Sequence, residues 1–583
     1  MIKTRYQVIL LAAVVLGVFY PTVFAEFCIV DDVEMVNNLE RMTSWSLKGV
    51  FTPGVAGGLY YRPLIHLSFI ADKYVFGLDP VIMHLENIII HLVNSILVYL
   101  MARHILLLRE KTDTYVPLVA ALLFAIHPVN TEAVNWISAR TDLLAGSFVL
   151  AGTVLLLQYR ASRDKKYLIF ASTAILFGML SKEVALAFLP GLVLILTARN
   201  KTDDHCENAD TSHGWELFIK RHWITLLLCI STISLFFILR SLAFTSNYSK
   251  IGLTLKFIFN DLTHSIFIVL RAFGFYLKKL FIPYPLNFSI MEADPLYELM
   301  AIPLVFICIY IASRRTMVSA VFIAGIILIT PSFVIAFNQI AWTTYAERYL
   351  YVPSAFIITS GILFLKDNFA FPNNAIRNAI VATILLFMTV TTITRNITWQ
   401  TNRALLKDTA EKSPWAKDAQ VLYGILLAQA NAYENALQQA DKADTISRIE
   451  YDDRSDMIRA YVSYRKNDLN LSLQISEKML ERSNGTSVAA LKNLISMYEK
   501  KIANSSGRHE QKVLARNIEQ YLLKLYEQNH DPFLLYKLGK LSRRNGRKKE
   551  ALYYFRKASR NMSENNEYRQ HAKRHLEILE RML

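Results

Sequence analysis

"MIKTRYQVILLAAVVLGVFYPTVFAEFCIVDDVEMV", Met1–Val36, runs from a basic start through an apolar stretch into two adjacent acids, Asp31 and Asp32. The apolar part is long enough to enter a ~30 Å hydrocarbon core. Val23–Ala25 resembles a signal-peptidase site, yet apolar runs recur to about residue 396, which favours a retained signal-anchor. Cleaved or retained, Asp31 and Asp32 emerge outside the cytoplasm. At 53% hydrophobic residues over 583 positions, the chain is too apolar for a soluble protein of this size. Beyond residue 396 it becomes charged and helix-like, so a membrane domain (1–396) followed by a soluble domain (397–583) is expected.

About eleven spans fit the bilayer measure, among them 166–180 and 184–198. Segment 264–283, with Arg271 and paired lysines, suits the interface or a dip into the bilayer. With the N-terminus inside, "RHILLLREK", "YRASRDKKY", the loop around 199–221, "SRR" (313–315) and "KDNFAFPNNAIRN" all fall on the cytoplasmic side and all carry Lys or Arg. An odd count then places residues 397–583 on the outer side, with Asp31 and Asp32. Cys28, Cys206, Cys229 and Cys308 have neither disulfide-framework nor metal spacing. The net charge of +16 includes "RRNGRKK", Arg543–Lys549, which reads as a solvated helical turn. In a polytopic chain no nucleic-acid partner is expected.

The soluble part carries a helical repeat. Gly424, Ala436 and Ala443 recur at offsets of twelve and seven, as do Gly539, Ala551 and Ala558. Small residues at this spacing let antiparallel helices cross closely, so both copies resemble tetratricopeptide repeats (TPR). A degenerate copy runs near Ala460–Leu480, with Ala460 and Ser472 at the first offset and Met479 at the second.

Ionisable groups at or within spans are costly and invite a functional reading. Adjacent carboxylates such as Asp31 and Asp32 repel, which raises one pKa and makes a competent base; a solvated loop is the plainer alternative. Arg62 follows two tyrosines and precedes Pro63. His84, Asn87 and His91 share a helix face, which suits a polar seam between helices more than a metal site. His127, Glu132, Arg140 and Asp142 lie in a short external link. Lys182 and Arg348 each adjoin an acid, Glu183 and Glu347; mutual ion pairing competes with a clamp for a lipid-borne phosphate.

Taken in order, "VDDV", "YYRPL", "HPVNTEAVNWISARTDLL", "SKE", "AERYLYVPS" and "ITWQTNRALLKDTAEKSPWAKDA" resemble the transmembrane and TPR-containing O-mannosyltransferases and their bacterial relatives, within the GT-C glycosyltransferases. The array is short, with two clear copies. The resemblance implies a polyprenyl-phosphate sugar donor in the membrane and a basic carboxylate in the first external loop, here Asp31 or Asp32. Arg62, His127, Glu132, Arg140, Asp142, Lys182, Glu183 and Arg348 become the donor-phosphate and substrate residues. The expectation is an all-α, multi-pass inverting glycosyltransferase of the bacterial inner membrane. Its acceptor is a protein Ser/Thr hydroxyl brought by the repeats on the periplasmic side, and it needs no metal or cofactor besides the lipid-linked donor. A non-catalytic membrane scaffold, an envelope-glycan ligase and a transporter are the alternatives.

Overall fold

Long apolar runs, then apolar residues at helical spacing, leave this backbone one economical way to satisfy its hydrogen bonds, which is to form helices throughout. The computed structural model describes residues 2–40, 42, 44–52, 60–113, 115–199, 214–243, 258–337, 343–369, 373–446, 453–562 and 567–582. Two isolated bridges, Arg199–Thr316 and Ile290–Tyr345, are its strand-like contacts among these residues.

The first compact unit comprises residues 1–39 and 45–408. Its helices are α1 (Ile2–Phe19), α2 (Asp32–Glu40), α3 (Leu47–Phe51), α4 (Pro63–Phe76), α5 (Pro80–Leu108), α6 (Tyr115–Ala125), α7 (Thr131–Asn135), α8 (Arg140–Ser162) and α9 (Lys165–Ser181). They continue as α10 (Phe188–Thr197), α11 (Gly214–Ala243), α12 (Leu262–Phe281), α13 (Leu296–Ser313), α14 (Met317–Ile335), α15 (Tyr351–Asn368) and α16 (Asn374–Trp399). Helix α17 (Asn402–Lys412) begins in this unit and ends in the next.

Among the described residues, eight helices are long and apolar enough to cross a membrane; counting the bent pair Tyr115–Ala125 and Pro128–Asn135 as one broken span gives nine. Of the eleven expected spans, the two outside this number are the shortest, α9, of 17 residues, and the apolar segment Glu183–Thr197. At 1.5 Å per residue, 17 residues reach about 26 Å, short of the hydrocarbon thickness. Helix α1 is built into the bundle, with Leu11, Val15 and Phe19 fully buried. Helix α12 takes up the charged segment near 264–283: Arg271 pairs with Glu298, and Gly274 lies so close to α13 that a Cβ there would sit 2.2 Å from the Tyr297 carbonyl oxygen.

The basic segments are tied to one another in pairs. Lys111 Nζ donates to Asp367 at 2.6 Å, Lys366 pairs with Asp113, and the Arg199 amide donates to the Arg315 carbonyl at 2.8 Å. Residues 200–213, most of the loop around 199–221, lie outside the described residues.

The second unit, residues 40–44 and 409–583, is a stack of helix pairs. These are α18 (Lys417–Gln429) with α19 (Tyr433–Thr445), α20 (Arg454–Arg465) with α21 (Leu469–Arg482), α22 (Val488–Asn504) with α23 (Arg508–Asn529), and α24 (Pro532–Arg544) with α25 (Lys548–Asn561), followed by α26 (Glu567–Met582). The small residues occupy the crossings. Ala436, Ala443, Ala551 and Ala558 are fully buried, and a Cβ on Gly424 would meet the Gln439 Cβ at 3.2 Å. In the degenerate copy the Ser472 hydroxyl donates to the Ala460 carbonyl at 2.7 Å. The basic run Arg543–Lys549 forms the turn between α24 and α25, where Gly546 takes a φ of +79°.

Candidate functional site

The chain leaves α1 through a single 3-10 turn, Tyr20–Phe24, and enters a loop that ends at the acid pair. The two acids are treated in opposite ways. Asp32 is fully buried at the start of α2. Its Oδ2 accepts from the Cys28 amide at 3.0 Å, and its Oδ1 from the Ser138 amide at 2.8 Å and the Ser138 hydroxyl at 2.5 Å. Burial pushes the Asp32 carboxyl up to about 7, against these donors, which favour the charged form. Asp31 is exposed, in the left-handed region at φ 70°, which costs a residue with a Cβ and is best tolerated by Asn and Asp. Its carboxyl is raised by partial desolvation and pulled down by the Arg348 charge.

Segment 132–142 carries the loop's supports and the partners of the cations. The Trp136 indole donates to the Val30 carbonyl at 3.1 Å, while its ring lies 4.9 Å beneath the Arg348 guanidinium. The amide and Nη1 of Arg348 both donate to Glu132. Tyr349 links two cations: Arg348 stacks 4.8 Å over its ring, and Lys182 Nζ lies 5.3 Å from the ring centre. Lys182 in turn donates 2.6 Å bonds to both oxygens of Asp142. On the other side of Lys182 in sequence, Glu183 accepts two bonds from Arg62 (3.0 and 2.9 Å) and one from the Tyr61 amide.

The structure thus joins Asp32, Glu132, Asp142, Lys182 and Arg348 through the 132–142 segment and Tyr349, with Arg62 and Glu183 continuing from Lys182. Two sequence-read residues are engaged elsewhere. Arg140, 1% exposed, pairs with Asp72 at 2.7 Å and Glu86 at 2.9 Å and donates to Asn87 at 3.0 Å. His127 is bonded through Nε2 to the Leu280 carbonyl at 2.9 Å, and its Nδ1 accepts from the Val129 amide. The seam on α5 is occupied within the bundle: His91 bonds Tyr351 and the Ala125 carbonyl, each at 2.8 Å, and Asn87 donates to the Val134 and Trp136 carbonyls. Among the described residues no group of three or more His, Cys, Asp or Glu is arranged to hold a metal.

Sequence reasoning missed Ser138, Tyr349, the buried pair Lys279–Glu347 at 2.6 Å, and Asn402. Lys279 and Glu347 carried a signal, since both are ionisable and adjoin apolar runs. Ser138 and Asn402 carried none.

Residues 71–208 match the family model described as dolichyl-phosphate-mannose-protein mannosyltransferase. The chain is 33% identical over 178 residues to Protein O-mannosyl-transferase Tmtc1 of Drosophila melanogaster, covering 30% of this chain and 20% of that protein. It is 29% identical over 153 residues to Protein O-mannosyl-transferase TMTC3 of Mus musculus, covering 25% and 16%. It is 38% identical over 109 residues to Protein O-mannosyl-transferase TMTC1 of Homo sapiens, covering 18% and 11%. The matches therefore span no more than a fifth of these relatives' lengths. These are animal proteins, so the bacterial affinity expected from the sequence is not part of the likeness. No solved structure matches the chain. Over these residues the chain is similar to protein O-mannosyl-transferases, and the likeness sits within a polytopic helical bundle that is followed by a helical repeat-like region.

Proposed function

We propose that the chain is an inverting membrane glycosyltransferase, with Asp31 as its base. The observation that carries this is the division of the acid pair: one carboxylate is locked in hydrogen bonds and the other stands exposed just beyond the first span. A polyprenyl-phosphate sugar, the donor implied by the family likeness, places its anomeric carbon at this membrane face. The acceptor hydroxyl, from a protein Ser or Thr, gives its proton to Asp31 as its oxygen bonds to that carbon. The carbon–oxygen bond to phosphate breaks, inverting the centre and releasing the polyprenyl phosphate. Arg348 and Lys182, with Arg62 beside them, supply fixed positive charge for that leaving group. Arg140 and His127 act as supports. The proposed reaction includes no obligatory metal.

In this reading the chain is a multi-pass membrane protein with site and repeats on the non-cytoplasmic side. Counting the bent pair as one span keeps the count odd, and the pairing of the basic segments supports their lying together on the inner side. The repeats, in this reading, hold an extended protein acceptor.

Asp31→Asn keeps size and removes basicity. Mannose transfer from dolichyl-phosphate mannose to a Ser/Thr peptide should fall by about 10²–10⁴-fold, with the protein still inserted. A rival reading, a non-catalytic scaffold, is favoured by one observation: Arg62, Arg140, Lys182 and Arg348 each carry a carboxylate partner. Full cellular function in the Asp31→Asn protein would select the scaffold.

A further inference from the structure

The sequence stretch from the end of α16 into α17, "ITWQTNRALLKD" (397–408), has no assigned task in the reaction above. In the structure it grips the acid-bearing loop. The Glu26 amide donates to the Gln400 carbonyl at 3.0 Å, and Gln400 Nε2 donates to the Pro21 carbonyl at 2.9 Å. Asn402 does more. Its Oδ1 accepts from the Ile29 amide at 2.8 Å; its Nδ2 donates to the Phe27 carbonyl at 2.9 Å and to Glu26 Oε2 at 3.0 Å; and its own amide donates to that same carboxylate oxygen at 3.2 Å. The side-chain amide thus uses its carbonyl and both N–H groups on three residues of the loop, Glu26, Phe27 and Ile29, and no other short side chain offers that set.

On the far side the loop is held by Trp136 and Ser138. The Ile29 amide is fixed to Asn402 and the Val30 carbonyl to Trp136, so Asp31 is the next residue along a backbone held from two directions. That is where the left-handed φ of 70° occurs. A strained conformation of a residue with a Cβ persists only where its surroundings over-determine it.

We infer that Asn402 is a positioning residue: by pinning the Phe27 carbonyl and the Ile29 amide, and by holding the Glu26 carboxylate, it keeps Asp31 in the strained conformation from which it takes the acceptor's proton. This rests on Asp31 being the base. The inference concerns the rate of the chemical step and not donor binding, because Asn402's hydrogen bonds all go to the loop and none to the cations.

The test uses the full chain in detergent with Cys206, Cys229 and Cys308 changed to Ser, leaving buried Cys28 as a reporter inside the loop. With dolichyl-phosphate mannose and a Ser/Thr peptide, Asn402→Ala should lower kcat at least tenfold while the donor KM stays within twofold. Maleimide should label Cys28 at least tenfold faster than in the parent. Unchanged kcat, or a loss seen in KM with Cys28 still protected, would overturn the inference. If Asn402→Ala fails to insert, Asn402→Asp combined with Glu26→Gln decides. Asp at 402 keeps the acceptor for Ile29, and Gln at 26 replaces a repelling carboxylate with a donor. Part of the kcat lost in Asn402→Asp alone should return, and no recovery in an inserted protein counts against the clamp. A parent protein inert with this donor and acceptor would remove the proposed transfer reaction, and Cys28 labelling would still decide whether Asn402 holds the loop.

Discussion

Ion pairs with both partners buried distinguish the membrane unit from the repeat unit among the described residues. In the membrane unit Arg140–Asp72, Lys182–Asp142, Lys279–Glu347 and Arg348–Glu132 are ion pairs with both side chains below 10% exposed. In the repeat unit, Arg556–Glu580 and Arg547–Glu550 stand a third or more in solvent. The chemistry is the same and the dielectric is not. A buried pair gives little net stability, yet removing one partner strands a charge; an exposed pair can be dismantled at almost no cost. The repeats draw their order instead from small residues at helix crossings, so their weak points are shapes rather than charges.

The sharpest way to break this contrast is Glu132→Gln, which leaves Arg348 buried without its counter-charge. A loss of about 3–5 kcal/mol is expected, read as a lowered midpoint of thermal unfolding in detergent. A loss below about 1 kcal/mol would mean the pair is solvated and the contrast false. The next effect depends on pH. Asp32 is raised from 3.8 to about 7 by burial, so the folded state keeps a proton that the unfolded chain releases near pH 4. Stability is full below that value and declines as pH rises toward 7, by at most about 4 kcal/mol. Asp32→Asn should flatten that slope in a series of unfolding midpoints, and an unchanged slope would assign it to other groups.

Shape comes third. A Cβ on Gly539 would lie 2.8 Å from two carbons of the Phe555 ring, so Gly539→Ala must displace the ring, costing about 1–3 kcal/mol in the repeat unit. Chemical denaturation followed by far-ultraviolet dichroism reads this, and a silent substitution would show the crossing to be loose. Smallest is Glu580→Gln, expected to change stability by less than about 1 kcal/mol. A larger loss would show that ion pairs matter in both units.

What the sequence disclosed follows from how far each feature depends on distant chain. The long spans were legible because membrane crossing demands a continuous apolar run, which is local. The runs at α9 and Glu183–Thr197 are shorter than the others because they stop at Ser181–Glu183 to deliver Lys182 and Glu183. The repeat pairs containing Gly424 and Gly539 were legible from two offsets. The pair α22–α23 was not, because its helices are longer, at 17 and 22 residues, and no small residues in it share both offsets. At the candidate site the ionisable residues could be named one by one, but not matched: nothing local says that Arg140 turns to Asp72 while Lys182 turns to Asp142. Ser138 and Asn402 are neutral, and their significance lies wholly in a backbone loop that reaches them from far away.

That separation has a consequence in time. The acid-bearing loop is synthesised well before its partners: Ser138 lies 106 residues after Asp32, and Asn402 lies 373 residues after Ile29. At translation rates of about 5–20 residues per second, roughly 20–75 s pass between the ribosome's making the loop and its making the residue that closes over it. Until then the nascent chain has its acid pair made but no complete clamp over it. The last turn of the bundle to be made is also the latch on its earliest loop, so a chain cut short before α17 carries the acid pair without its full scaffold.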